Sequence, residues 1–194
     1  MHKMKIYCIP SKRVRGITLI ESLVVLAIVG FLARMAMPSF TSSINANRRA
    51  TYANQLVEDL ALARSEAIKR GTRVVVCTSS TFTACTRNND WASGWIVFVD
   101  TNNNATVDTG EPILRTHTAL ALPAGWVAKD NISSYVSYHP LGVAQNTSGT
   151  PQELTICLLP TSATCQAAQP SNATYAYTDV VISSVGRARI DSKN

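Results

Sequence analysis

Residues 16–37 read GITLIESLVVLAIVGFLARMAM, and the reading of this stretch decides the rest of the chain. From Ile17 to Met37 it is 21 residues long and almost wholly apolar. As a helix rising about 1.5 Å per residue, it matches a hydrocarbon core of roughly 30 Å. Lys3, Lys5, Lys12, Arg13 and Arg15 precede it with no acid among residues 1–16. Such a basic tail predicts a cytoplasmic N-terminus with the remaining chain outside. A cleaved secretory signal would end in a small-x-small site, whereas this run ends Arg34, Met35, Ala36, Met37, Pro38. A plain single-pass anchor fits the hydropathy, but Glu21 stands four residues into the run. A carboxylate at that depth costs a few kcal/mol unless paired, so it marks a functional position.

Outward from this stretch, the 194 residues suit one ordinary domain with an appended helix. Hydrophobic residues make up 46% and charged residues 15%, which excludes a disordered or acidic solvating chain. The net charge of +6 comes mostly from the N-terminal tail, and residues 17–194 carry only +1. Within that remainder, residues 17–73 carry +3, residues 74–179 carry −4 and residues 180–194 carry +2. Only His2, His117 and His139 are present, which disfavours a histidine-based hydrolase or a His-rich metal site.

After Pro38 a helical pattern continues. Tyr52, Ala53, Leu56, Val57, Leu60, Ala63 and Ala67 recur at amphipathic spacing and predict a face packed on a sheet. Lys69, Arg70 and Gly71 make a helix end by dipole complement and a left-handed cap. Gly30 and Pro38 are expected to kink or loosen this helix of about fifty residues. From residue 72 the period becomes two. Residues 72–79, 94–99, 112–118, 125–129, 134–139, 153–159 and 179–190 read as strands between Asn-, Gly-, Ser- and Thr-rich turns. Tracts 144–149 and 167–174 read as exposed loops. Helix first and antiparallel strands after it imply an α+β unit.

Cys8 lies in the basic tail, leaving Cys77, Cys85, Cys157 and Cys165. Each local pair has seven intervening residues, against the two to four usual for structural zinc. An even count outside a membrane favours disulfides over buried thiols. Of three connectivities, we expect 77–85 and 157–165, each worth about 2–3 kcal/mol on the chain-entropy estimate. Asp100, Asn102, Asn104, Asp108 and Glu111 fall at positions 1, 3, 5, 9 and 12 of an EF-hand-like loop. However, Ala105 stands where that loop needs glycine, and GWIVFV precedes it where a helix should be. The expectation is a polar connection between strands. No metal or cofactor is expected.

Gly16, the following Ile17, Thr18, Leu19, Ile20 and Glu21, and then Gly30 and Pro38 resemble the N-terminus of type IV pilins and pseudopilins. The resemblance implies a prepilin leader over residues 1–16. A prepilin peptidase would cut after Gly16 and methylate the new amine of Ile17, where most members have Phe. Residues 17–38 would then form the transmembrane and filament-core helix, and residues 39–194 the periplasmic globular domain, with helix over 39–70 and β-rich chain over 72–190. Glu21 becomes the mature fifth residue. Set against a neighbour's N-terminal ammonium, its carboxylate neutralises two charges that are expensive apart. The implied fold is α+β and type IV pilin-like, a long N-terminal helix with a transmembrane first half, packed on a C-terminal antiparallel β-rich domain.

ARSEAIKRG, the Cys77 strand, WASGWIVFVD, the run from Asp108 to Arg115 and a closing Val185, Gly186, Arg187, Ala188, Arg189 resemble the GspH/FimT group. Its members are type II secretion pseudopilins and minor pilins. The Gly-Arg-x-Arg ending resembles the FimT branch and implies DNA binding in natural transformation, through Gly186, Arg187 and Arg189 with Lys193 as a looser contact. As a bare motif, without the family resemblance, it reads as a solvated strand end. Implied partners are DNA, other pilin subunits, the peptidase and the inner membrane. The alternative is a structural minor pilin or secretion pseudopilin that never touches DNA. An anchored hydrolase fails, because no GxSxG, HExxH, P-loop or Cys/His nucleophile pattern occurs.

Overall fold

The computed structural model describes residues 16–122, 126–130, 134–160, 163–165 and 175–193, with backbone only at 35–40, 126 and 128–130. The leader and the loop tract 167–174 lie outside the described residues. The chain divides into two units, Met1–Ser42 and Ser43–Asn194.

Helix α1 runs Leu19–Arg70. Its start is built locally: Thr18 Oγ1 accepts from the Glu21 N–H at 3.3 Å, and the Thr18 carbonyl accepts from the Ser22 N–H. Thr18 and Glu21 thus stand at the first and fourth positions of a capping box. The helix passes through Gly30 and Pro38 as one element. In the first unit Leu19, Ile20, Leu23, Val24, Val25, Leu26, Ile28, Val29, Phe31 and Leu32 are all exposed. Among the described residues no helix is long and apolar enough to cross a membrane. At its other end α1 stops as expected, with Gly71 at φ +64° donating to the Ala67 carbonyl at 3.1 Å.

The second unit holds β1 (Arg73–Thr78), β2 (Trp95–Asp100), β3 (Ile113–His117), β4 (Trp126–Asp130), β5 (Tyr135–Tyr138), β6 (Leu154–Pro160), β7 (Tyr177–Ile182) and β8 (Ala188–Lys193). They form two antiparallel four-stranded sheets, ordered β3-β2-β1-β5 and β4-β6-β7-β8. The run 179–190, read as one strand, is a hairpin: Gly186 at φ +78° turns the chain between β7 and β8.

One core joins Ala53, Leu56, Leu60, Ala63 and Ala67 of α1 to Val74 and Val76 of β1, Ile156 and Leu158 of β6, and Val180 and Ile182 of β7. The small residues in the helical stripe let the helix backbone approach the sheets closely. The outer face of each sheet carries its own apolar cluster, around Val75, Cys77, Ile96 and Phe98 in one and Cys157, Leu159 and Tyr177 in the other. Coverage on both faces explains why β1, β2 and most of β6 are buried at every position. Each outer cluster includes a disulfide. Cys77 is joined to Cys85 and Cys157 to Cys165, with Cα atoms 5.7 and 5.6 Å apart. This is the local connectivity of the three that four cysteines allow.

Candidate nucleic-acid interface and the assembly motif

The C-terminal arginines are positioned by the turn between β7 and β8. The Gly186 N–H donates to the Ser183 carbonyl at 2.8 Å, and the Ser183 N–H donates to the Arg187 carbonyl at 3.0 Å. This is a hairpin turn with glycine in the left-handed position, which L-residues with a Cβ adopt only with strain. A second reason for glycine is space. A Cβ at Gly186 would run into the Gly142 carbonyl oxygen. The turn is held on α1 by Arg64, whose Nε donates to Gly142 O at 2.8 Å and Nη2 to Val185 O at 3.2 Å. Ala144 N–H donates to Ser184 O at 3.0 Å, tying the 139–144 loop to the same turn.

Arg187 and Arg189 are both exposed. Among the described residues neither guanidinium has a protein partner. The two do not share a strand. Arg187 precedes β8 and belongs to the turn, so strand alternation does not govern it. It lines a notch of about 180 Å³ with Val57, Ala61, Arg64, Tyr138 and Ala188. Arg189 lines a different one of about 220 Å³, with Glu153, Thr155 and Val181. Lys193 is half-buried and engaged within the protein, so it is no free cation.

Along β8 the register pairs Arg189 with Val181, Asp191 with Asp179 and Lys193 with Tyr177. Residues two apart on a strand share a face, so Asp191 stands between the two cations. Asp179 is buried and its Oδ1 has no partner among the described residues. Burial, and then the Asp191 charge, push its carboxyl up to about 7. The outer face of this sheet is thus of mixed sign.

The acidic loop after β2 is wired to itself. Asp100 accepts from the N–H groups of Asn104 and Ala105 at 3.1 and 3.0 Å. Glu111 accepts from Thr101 N–H at 2.7 Å and Asp108 N–H at 3.0 Å. The Asn102 and Asn104 amides donate to Asp108, which holds its carboxyl below the usual range. These bonds are those of a polar connection between strands. Among the described residues, no group of three or more His, Cys, Asp or Glu side chains could hold a metal.

His117 is half-buried and stacks on Trp95 at 4.0 Å between ring centroids. Its Nε2 lies 3.0 Å from Gln55 Oε1. Beside it, buried Asp59 accepts from Trp95 Nε1 at 2.7 Å and from Arg115 at 2.9 Å. His139 is half-buried, and its Nδ1 accepts from the Leu141 N–H at 3.2 Å. Sequence reading missed Arg64, Tyr138, Asp59 and Arg73. Arg64 could have been noticed, since it follows Ala63 at the border of the helical apolar stripe. Arg73 is buried at the start of β1, bonded to Asn103, Ser137 and the Gln145 carbonyl. Burial lowers its pKa.

At the other end of the chain, Gly16 and Ile17 are exposed ahead of the helix, and Glu21 is exposed in its first turn. A carboxylate there complements the positive helix end. Residues 11–36 match the model for the prokaryotic N-terminal methylation motif, and residues 52–186 match that for type II transport protein GspH. The chain is 37% identical over 103 residues to the pilin-like protein PilA1 of Thermus thermophilus, covering 53% of this chain and 59% of that protein's length. Among solved structures it resembles the type IV minor pilin FimU of Pseudomonas aeruginosa, at 20% identity and a TM-score of 0.49, over 77% of this chain and 90% of that one. It also resembles the minor pseudopilin EpsH of the Vibrio cholerae type 2 secretion system, at 13% identity and a TM-score of 0.45, over 75% and 97%. With the GspH model matching well over half of its length and the methylation motif at its start, the chain belongs to the GspH family of type IV pilin-like proteins.

Proposed function

We propose that the chain is a minor type IV pilin that binds DNA without sequence preference for uptake in natural transformation. A peptidase cuts after Gly16 and methylates Ile17. Residues 17–38 anchor the subunit in the inner membrane, with residues 39–194 in the periplasm, until it joins a pilus beside other pilins. Glu21 pairs with a neighbouring subunit's N-terminal amine in the filament. If so, Glu21→Ala leaves cutting intact but removes the protein from sheared pili, and normal incorporation would refute the pairing.

The observation that carries DNA binding is the pair of exposed guanidinium groups, Arg187 in the turn fixed by Gly186 and Arg189 at the start of β8, neither with a protein partner among the described residues. Arginine's planar fork suits phosphate oxygens, and phosphate contacts carry no base information. Two or three neutralised phosphates give a log–log salt slope of roughly −1.5 to −2.7, and several copies along a filament raise the weak affinity by avidity. The test is a mobility shift with the full chain across a salt series. Binding that Arg187→Gln with Arg189→Gln abolishes, in a protein that stays folded, supports the reading.

A second reading is a structural minor pilin or secretion pseudopilin with no DNA role. It is favoured by Asp191, which shares a face with Arg189, and by Glu153 beside Arg189. Absence of binding by the wild-type chain at low salt selects it.

A further inference from the structure

The two arginines of the closing motif have unequal surroundings, and the inequality assigns a site. Arg187 shares its notch with Arg64, a residue of α1 far away in sequence, and with Tyr138 at the end of β5. Arg64 spends Nε and Nη2 on the carbonyls of Gly142 and Val185, and its Nη1 has no bond among the described residues. Tyr138 is fully buried, yet its hydroxyl has no hydrogen-bond partner among the described residues. A buried hydroxyl left unbonded is costly, and native proteins seldom keep one without a use. Burial raises the Tyr138 pKa, and the Arg64 charge partly offsets that, so the guanidinium lies within electrostatic reach of the phenol. The remaining wall, Val57, Ala61 and Ala188, is apolar, and no carboxylate lines the notch.

We propose that this notch seats one phosphodiester of the DNA backbone, with Arg187 and Arg64 each donating to a non-bridging oxygen and the Tyr138 hydroxyl, closed off from solvent in the free protein, becoming the inner donor once the phosphate is seated. The proposal rests on the DNA-binding reading above and sharpens it: Arg187 is the principal contact, Arg64 is its partner, and Arg189 is secondary. Charge and size both fit. Two cations face the notch with no acid among its lining residues, whereas Arg189 shares its concavity with Glu153 and its strand face with Asp191. At about 180 Å³ the notch is smaller than the roughly 300 Å³ at which sites for whole small molecules begin. It therefore takes a group, not a nucleotide, and the apolar wall suits the carbon edge of a deoxyribose. Arg64 also sets the position of Arg187, because the same side chain holds the turn through Val185 and Gly142.

The test uses the full-length chain in zwitterionic detergent, with a fluorescent duplex of random sequence read by anisotropy at several salt concentrations. Arg187→Gln is expected to weaken binding at least tenfold and to flatten the salt slope by about 0.9. Arg189→Gln is expected to cost less than threefold. Tyr138→Phe removes only the hydroxyl. It should weaken binding three- to tenfold with an unchanged salt slope, while thermal stability holds or rises because an unbonded buried group is gone. Arg64→Lys keeps a charge but loses the fork, and should weaken binding with the slope retained. A Tyr138→Phe protein that binds as wild type, together with equal losses for Arg187→Gln and Arg189→Gln, overturns the notch and leaves DNA binding by the paired arginines standing. Failure of the wild-type chain to bind overturns the functional reading and the notch with it.

Discussion

Two buried aspartates, one in each sheet, show how differently the sheets treat charge. Asp100, at the end of β2, is fully buried and each of its oxygens accepts a backbone N–H. Asp179, in β7, is equally enclosed, but one oxygen has no partner among the described residues and Asp191 sits directly across the strand pair. Arginines follow the same division. Arg73 and Arg115, in the first sheet, are committed to polar partners. Arg187 and Arg189, at the edge of the second, have none among the described residues. Charged groups that are fully bonded within the protein, as Asp100, Arg73 and Arg115 are, build structure. A sheet edge whose charges are left over is where a charged partner fits, and under the proposed function that surface is the β7–β8 hairpin.

The comparison can be broken at its strongest point first. Asp100→Ala leaves the buried Ala105 N–H and the partly buried Asn104 N–H without an acceptor and should destabilise the protein by about 2–4 kcal/mol, read from chemical denaturation. A change below about 0.5 kcal/mol would mean that the loop does not depend on this wiring. Next in size is Gly186→Ala. It imposes a left-handed backbone on alanine and meets the Gly142 carbonyl, so it should cost about 2 kcal/mol and weaken DNA binding by displacing Arg187. Full stability in this variant would show that the turn is not held where Arg64 holds it.

The smallest expected effect concerns Asp179. Its folded carboxyl binds a proton up to about pH 7, whereas an unfolded aspartate releases it near 4. Between those values the native state holds more protons than the unfolded state, so stability falls as pH rises through that window. Asp179→Asn should therefore gain about 1–2 kcal/mol over wild type at pH 8 and nothing at pH 4, measured as a pair of denaturation curves. A gain that is the same at both pH values would remove the like-charge strain on which the contrast between the sheets depends.

Much of the fold was legible because its signals are local. Helix termination at Lys69, Arg70 and Gly71 depends on one turn of chain. The strand order along the chain follows short runs of β-branched residues between polar turns, and the nearness of each cysteine pair limited their partners. The N-terminal motif is contiguous. What the local pattern misjudged is equally specific: residues 179–190 read as one strand, and Gly186 turns that run into a hairpin that takes Arg187 out of the strand.

The sequence by itself determined the long helix, the run of antiparallel strands and the family signature, since these are read from contiguous patterns, whereas four cysteines alone allow three connectivities. Only the tertiary structure decided that the strands divide into two sheets and that Arg187 and Arg189 look into different notches. The same holds for the facing of Asp191 with Asp179, and for the placing of Arg64, Tyr138 and Gly142 against Gly186. These pairings join residues up to 121 apart. They follow from cross-strand register and from backbone approach at a glycine, which hydrophobic periodicity does not encode, because a register shift of one residue exchanges the faces of a strand without changing its pattern.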